Sequence, residues 1–340
     1  MKKIKVGING FGRIGRAFLK VALDRPELEI VAVNDIGSID NMAYLLKYDT
    51  VYHSWKHEIK IEGDNIIIDD RKVKVLAEKD PSQLPWKDLG VDVVVESTGL
   101  FTTYDKARVH LDAGAKKVVI SAPAKGESEI KGETILLGVN EEKFGTCDVT
   151  SNASCTTNAA SPIIAILDEA LGVEKAVLNT VHGYTASQSL VDGPSKKDMR
   201  EGRAGAQNII PSSTGAAIAV TKAFTGLSGL FDGISIRVPV IAGSIADITF
   251  ISKKNTTKEE VNEILKKAAQ EKRWEGIFAV TEEPLVSSDI LGSRYGSIAD
   301  LQMTRVVGGN LVKVLGWYDN EMGYTYTLID HVIKTGQTIK

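Results

Sequence analysis

The feature that most restricts the fold of this chain is Gly10-Phe11-Gly12-Arg13-Ile14-Gly15. It follows a short apolar run, residues 5–9, and precedes a helically periodic stretch, residues 16–23. Between a strand and a helix each glycine has a mechanical role. The first makes a tight turn, the second admits a pyrophosphate to the backbone, and the third lets helix and strand pack closely. Phosphates then face the unpaired N–H groups of the helix N-terminus. A second strand, residues 28–33, ends at Asn34-Asp35, about where such a unit sets a carboxylate on the adenosine ribose. That carboxylate repels the extra phosphate of NADP and favours NAD, while Gly37 and Ser38 leave room for some use of both. The alternative for Asp35 is a surface turn residue.

The rest of the first half continues the pattern. A hairpin (59–61 with 66–68) flanks Gly63-Asp64-Asn65, and strands are expected at 73–76, 91–95 and 117–120, with a helix at 105–113. Apolar strands alternating with helices predict a doubly wound, mostly parallel sheet of Rossmann type. Small polar residues at the carboxyl ends of such strands line the ligand crevice. Ser97, Thr98, Gly99 and Ser121 are therefore candidates for the cofactor path.

A different kind of signal begins at Ser151-Asn152-Ala153-Ser154-Cys155-Thr156-Thr157-Asn158, just before a helical stretch at 159–171. A thiolate at a helix start is favoured by unpaired N–H groups and the helix dipole. The competing possibility is a small buried residue beside a Ser/Thr cap. Beyond it, a strand at 175–181 leads to His182-Gly183-Tyr184-Thr185, then a long polar stretch at 186–207 that reads as a functional loop. Residues 209–215 lead into a helix at 216–224. Residues 234–240 and 245–251 read as antiparallel strands, with Arg237 inside the first. An amphipathic helix is expected at 257–272, opened by Thr256-Thr257 with Glu259 and Glu260 in its first turn. A last strand (310–317) and a closing helix (320–334) follow. The second half is thus an α+β domain with a mixed, largely antiparallel sheet. The boundaries expected are 1–154 for the dinucleotide-binding domain and 155–319 for the catalytic one.

A dinucleotide domain followed by Cys155 and His182 points to a thiol-based oxidation. A nucleophile must add to an aldehyde before hydride can leave, and thiolate addition ends in a thioester. His182 would lower the thiol pKa as an ion-pair partner and act as general base; alone, a histidine here reads as structural. Arg237 in an apolar strand needs an anion or a salt bridge to an acid such as Asp247. Ser154, Thr156, Thr185, Thr214 and the Gly215 N–H supply neutral donors, and Arg203 stands in the long loop. Two groups of donors indicate two anion positions, one for a substrate phosphate and one for inorganic phosphate.

The 340 residues exceed one ordinary core. The 41 basic and 44 acidic side chains give a net charge of −3 with no basic run, which argues against a nucleic-acid partner. No apolar stretch reaches membrane-spanning length, and the charged N-terminus is not expected to be a signal peptide. Cys147 and Cys155 are too few for a disulfide framework, and no Cys/His spacing reads as a metal site. A cytoplasmic enzyme is expected.

Several segments occur in one order along the chain: Asn9-Gly10-Phe11-Gly12-Arg13-Ile14-Gly15-Arg16, Ser154-Cys155-Thr156-Thr157-Asn158, Gln207-Asn208-Ile209-Ile210-Pro211, Thr214-Gly215-Ala216-Ala217 and Trp317-Tyr318-Asp319-Asn320-Glu321. Together they closely resemble the glyceraldehyde-3-phosphate dehydrogenase family over essentially the whole chain. The resemblance implies phosphorylating oxidation of glyceraldehyde 3-phosphate with NAD in glycolysis or gluconeogenesis, and a homotetramer. It implies Cys155 as nucleophile and His182 as base. It puts Thr185 and Arg237 on the substrate phosphate, and Ser154, Thr156, Thr214 and Gly215 on inorganic phosphate. Arg13, Ile14, Asp35 and Ser121 match cofactor contacts, Lys79 a residue near the adenine, Asn320 the nicotinamide carboxamide partner, and Tyr324 the ring beside it. The segment 320–340 is implied to pack back onto the cofactor domain. Ile218, Glu201, Met322 and Val240-Ile241-Ala242-Gly243 depart from the family pattern without removing a catalytic group. Rival functions are an erythrose-4-phosphate dehydrogenase ending in hydrolysis, an amino-acid semialdehyde dehydrogenase, and a non-catalytic RNA-binding protein.

Overall fold

Among the described residues nine strands form the first sheet: β1 (Ile4–Asn9), β2 (Leu28–Asn34), β3 (Ile59–Glu62), β4 (Asn65–Ile68), β5 (Arg71–Leu76), β6 (Val93–Glu96), β7 (Lys117–Ile120), β8 (Gly132–Thr134) and β9 (Val149–Ser151). The structure is a computed structural model and describes residues 3–126, 128–195 and 198–339. Parts of the expected 186–207 loop and 320–340 segment lie outside the described residues. Contacts group the chain into two units. Met1–Ile135, Glu141–Ala153 and Leu328–Lys340 form one, and Leu136–Asn140 and Ser154–Thr327 form the other.

In the first unit the strand order is β3-β4-β5-β2-β1-β6-β7-β9-β8. Only the β3–β4 and β4–β5 pairs are antiparallel. Strands buried on both faces read as unbroken apolar runs, and Val93, Val94, Val95, Val118, Val119 and Ile120 have no exposed surface. Helix α1 (Arg13–Ala22) turns Phe18, Leu19 and Val21 inward and has no acidic residue in its first turn, which leaves its positive end free for an anion. Helix α2 (Ile39–Lys47) is capped by the Ser38 hydroxyl, which accepts from Asn41 N–H.

The glycine turn has the mechanics expected. Gly10 has φ +94° and its Hα faces Thr98, where a Cβ would lie 2.6 Å from the backbone nitrogen. A Cβ on Gly15 would stand 2.1 Å from Gly10 O, whereas one on Gly12 would meet nothing within 4 Å. The helix expected at 105–113 is instead two short ones, α3 (Tyr104–Ala107) and α4 (Val109–Asp112). The chain turns at Arg108, whose carbonyl accepts from Leu111 N–H in a tight turn, and His110 is fully buried.

The second unit starts with α5 (Cys155–Leu171) and β10 (Val173–Gly183), followed by β11 (Ile210–Ser213), α6 (Ala216–Ala223), β12 (Phe231–Val238), β13 (Ser244–Ser252), α7 (Lys258–Ala268), β14 (Phe278–Thr281), β15 (Ser297–Val307) and β16 (Leu311–Tyr318). Helix α8 (Met322–Gln337) closes the chain, and its residues from Leu328 on group with the first unit. Sheet order is β11-β12-β10-β13-β16-β15-β14, with β10–β12 and β14–β15 parallel and the other pairs antiparallel.

The second unit adds three details to the expected pattern. Helix α5 begins at Cys155 rather than at residue 159, because Ser154 caps it by accepting from Thr157 N–H. The strands containing Arg237 and Ile245 run antiparallel but are not neighbours, since β10 lies between them. Strands β11, β14 and β15 were not anticipated. Substituting Gly15→Ala is expected to cost about 2 kcal/mol or more, because the methyl has no space beside a carbonyl. Thermal unfolding measures this, and an unchanged midpoint would contradict the close helix–strand approach.

Candidate active site

Cys155 is the first helical residue of α5 and is half-buried. Its Sγ lies 3.5 Å from His182 Nε2. His182 sits one residue from the end of β10, in register with Arg237 on one side and Ser244 on the other. Ser244 is in turn in register with Tyr318 on β16. One row of side chains across four strands thus faces the start of α5. His182 Nδ1 is 2.6 Å from Gly183 O and 2.6 Å from a terminal nitrogen of Arg237. The two contacts make opposite demands on Nδ1, since the Gly183 carbonyl calls for a donor and the guanidinium for an acceptor; with the proton on Nδ1, Nε2 is the acceptor that faces the thiol.

Burial pushes the His182 imidazole down to about 3, and the neighbouring Arg237 guanidinium adds to the shift. At neutral pH the ring is therefore the free base, the form that takes a proton. Burial also pushes the Cys155 thiol up, opposed by Arg237 and by hydrogen bonds from Thr156. The site without substrate therefore favours a thiol beside a neutral imidazole, which differs from the expected ion pair. The reason is burial, which disfavours the charged form of each group, and Arg237 adds to the effect on the ring while opposing it on the thiol. Transfer of the proton from Sγ to Nε2 would make a nucleophile, in reach of Arg237 and the α5 N-terminus.

The anion candidates divide. Arg237 does not pair with Asp247, which is bonded to Lys313, and its Nε is buried without a partner. Gln188 Nε2 is a second buried donor without one. Its Oε1 accepts from Thr185 N–H and lies 3.4 Å from the Thr185 hydroxyl. Gln188 escaped notice in the sequence because it lies inside the long loop with no local pattern around it. Ser154 Oγ caps α5. Thr214 Oγ1 accepts from Ala216 N–H, and the space beside Gly215 is open. Thr156, by contrast, is buried, and its hydroxyl bonds to the Tyr318 phenol at 2.8 Å; Thr180 holds the same phenol at 2.7 Å. Arg203 pairs with Asp192 at 2.8 Å within the exposed loop. Glu201, one of the departures, accepts from the Ser212 hydroxyl.

In the first unit a cavity of about 420 Å³ is lined by Gly10, Gly12, Asp35, Lys79, Ser97 and Thr98 among the candidates, and also by Asn9, Asn34, Glu78 and Phe101. Asp35 is held in place by Phe11 N–H at 2.8 Å and Gly37 N–H at 3.0 Å. The open face at Gly12, the left-handed turn at Gly10 and the fixed carboxylate fit an adenine dinucleotide. Phe11, Arg13, Ile14, Gly99 and Ser121 do not line this cavity; Arg13 is paired with Asp49. In the second unit the Asn320 Oδ1 accepts from Gly243 N–H and the Ser244 hydroxyl, which fixes its amide, and Tyr324 is buried.

A dinucleotide turn on a mostly parallel sheet, with a thiol–imidazole pair in a second mixed-sheet unit, marks an NAD-dependent oxidoreductase. Two family models match the chain: the glyceraldehyde 3-phosphate dehydrogenase NAD binding domain over residues 4–104, and the C-terminal domain over residues 154–320. A glyceraldehyde-3-phosphate dehydrogenase of Streptomyces coelicolor is 47% identical over 339 residues, 99% of each chain. Those of Kluyveromyces lactis and Geobacillus stearothermophilus are each 47% identical, covering 97% and 96% of this chain and 98% and 96% of their own. The chain belongs to the glyceraldehyde-3-phosphate dehydrogenase family, and it is an NAD-dependent enzyme acting on an aldehyde group.

Cys147 differs from Cys155 in surroundings. It is buried, its Sγ–H donates to Val149 O, and burial pushes its thiol up. Brief iodoacetamide treatment followed by peptide mass spectrometry is expected to label Cys155 well ahead of Cys147. Equal labelling would contradict the pairing of Cys155 with His182. His182→Asn is expected to lower turnover about 10²–10⁴-fold, the usual contribution of a general base.

Proposed function

We propose that the protein catalyses phosphorylating oxidation of glyceraldehyde 3-phosphate to 1,3-bisphosphoglycerate, with residues 1–154 binding NAD and 155–319 carrying the chemistry. The observation that carries this is the contact between Cys155 Sγ and His182 Nε2, with Arg237 beside it. His182 takes the thiol proton, Sγ adds to the aldehyde carbon, and His182 returns that proton to the developing oxyanion to give a thiohemiacetal. His182 then accepts the hydroxyl proton as hydride leaves, and the product is a thioester on Cys155. NAD, when bound, supplies the hydride acceptor. Inorganic phosphate attacks the thioester carbonyl, the C–S bond breaks, and the acyl phosphate departs while the thiol is restored.

Arg237 and Thr185 bind the substrate phosphate in this account, and Ser154, Thr214 and Gly215 the inorganic one. Thr156 shapes that second position through its bond to Tyr318 rather than by donating directly. Asn320 orients the nicotinamide carboxamide, with Tyr324 beside it. The retained donors for a second anion favour phosphorolysis over the hydrolytic ending on erythrose 4-phosphate.

We also propose a homotetramer working in the cytoplasm. One face of the second sheet is buried under helices, while Val177, Ile234 and Leu311 on the other are 59%, 52% and 41% exposed, an apolar face of the kind that self-association covers. Among the described residues no helix is long and apolar enough to cross a membrane.

NADH formation from glyceraldehyde 3-phosphate is expected to depend on added phosphate and to vanish in Cys155→Ser. Phosphate-independent turnover would favour hydrolysis instead. Arg237→Ala is expected to cost about 2 kcal/mol or more, roughly thirtyfold in kcat/KM, because the substrate anion loses its charged partner. A variant that retains wild-type kcat/KM would remove Arg237 from the phosphate site.

A further inference from the structure

Three polar residues stand in one row at the carboxyl ends of adjacent strands in the first sheet. Asn34 on β2, Asn9 on β1 and Glu96 on β6 are in register, Asn9 with each of the others. All three are buried, and a buried carboxylate is costly without full hydrogen bonding. Glu96 has it. Its Oε2 accepts from Asn9 Nδ2 at 2.7 Å and lies 3.0 Å from His110 Nε2. Its Oε1 accepts from Thr98 N–H at 2.8 Å and from the Thr98 hydroxyl. Trp86 Nε1–H donates to His110 Nδ1 at 3.1 Å, so the imidazole proton sits on Nε2 and His110 is a donor to Glu96. Four donors converge on one carboxylate.

The row continues the other way. Asn9 Oδ1 accepts from Asn34 Nδ2 at 2.8 Å, and the Asn34 amide exchanges bonds with the backbone N–H and C=O of Glu78 at 2.8 and 2.9 Å. Asn9, Asn34, Glu78 and Thr98 all line the cavity assigned to the dinucleotide, whereas Glu96, His110 and Trp86 do not. The Gly10 turn rests on the segment that Glu96 pins, since Ser97 Oγ–H donates to Gly10 O at 2.7 Å.

We propose that Glu96 is a positioning residue for NAD: its carboxylate, gripping Asn9 from one side and Thr98 from the other, sets the spacing of the backbone walls between which the dinucleotide fits. The proposal rests on the assignment of this cavity to NAD. A purely structural role would instead make the row a stabiliser of the core and nothing more. The two differ in what fails when one acceptor is replaced. Glu96→Gln keeps the shape, but its NH2 group must face donors whichever way the amide turns, either Asn9 with His110 or the Thr98 N–H.

The test measures NAD dissociation constant, kcat at saturating substrates and melting temperature on the full chain. Glu96→Gln is expected to raise the dissociation constant about tenfold or more while kcat stays within about twofold, since the donors it leaves unpaired no longer hold Asn9 and Thr98 at the spacing the dinucleotide needs. Val94→Ala, a cavity in the same strand's fully buried core, is the control. It is expected to lower the melting temperature while leaving NAD affinity within about twofold. Unchanged affinity in Glu96→Gln overturns the proposal, as does an equal loss of affinity in Val94→Ala. If Glu96→Gln does not fold, Thr98→Val, which removes one donor hydroxyl, is expected to weaken NAD binding about threefold, and wild-type affinity in that variant overturns it. Failure of the unsubstituted chain to bind NAD would sink the cavity assignment instead.

Discussion

The chemistry depends on a sulfur at the first turn of a helix meeting a nitrogen at the last residues of a strand. Ser154 fixes where α5 starts, by accepting from Thr157 N–H. Parallel pairing of β10 with β12 fixes where His182 stands relative to Arg237. Neither residue could be moved by one position without loss. A shift of one along β10 would turn the imidazole to the opposite face of the sheet, and a shift of one along α5 would rotate the thiol by about 100°. The reactive contact is therefore a consequence of register rather than of loop placement.

Arg237 makes that contact asymmetric. Burial disfavours a charged ring and the guanidinium beside Nδ1 adds to this, so the imidazole rests as a base. The same cation is what a substrate phosphate would seek, and its Nε remains buried without a partner. In the proposed function, substrate binding and the tuning of the base thus share one residue. A substrate lacking the phosphate would leave that charge uncompensated, so discrimination between phosphorylated and plain aldehydes follows from electrostatics already present. The first sheet uses the same device for a different end, placing Asn34, Asn9 and Glu96 in one polar row where its strands stop. In both sheets the polar groups stand at strand ends, where the backbone supplies regular spacing and the side chains supply the chemistry.

What could be read from the residues alone follows the locality of each demand. The glycine turn is legible because a φ of +94° at Gly10 and a 2.1 Å clearance at Gly15 are conditions only glycine meets. Cys155 is legible because caps and helix starts are written in adjacent residues. Arg237 is legible as a cation in need of an anion, but its contact with His182 is not, since that depends on β10 lying between β12 and β13. Strand order of this kind is decided by long-range pairing and leaves no local mark. Thr156 shows the same limit: its hydroxyl is taken by Tyr318, 162 positions away, so a residue that reads as an open donor is already paired. Strand β15 was missed because Gln302, Met303 and Arg305 face outward and break the apolar run that marks a buried strand.

The account stands or falls on covalent bonding between Cys155 and substrate. Intact-mass and peptide mass spectrometry of the NAD-loaded protein, mixed with glyceraldehyde 3-phosphate in phosphate-free buffer, tests this directly. The predicted result is an acyl adduct confined to the Cys155 peptide that disappears on adding phosphate. Absence of any adduct on that peptide under turnover conditions, or an adduct that phosphate does not discharge, would contradict it.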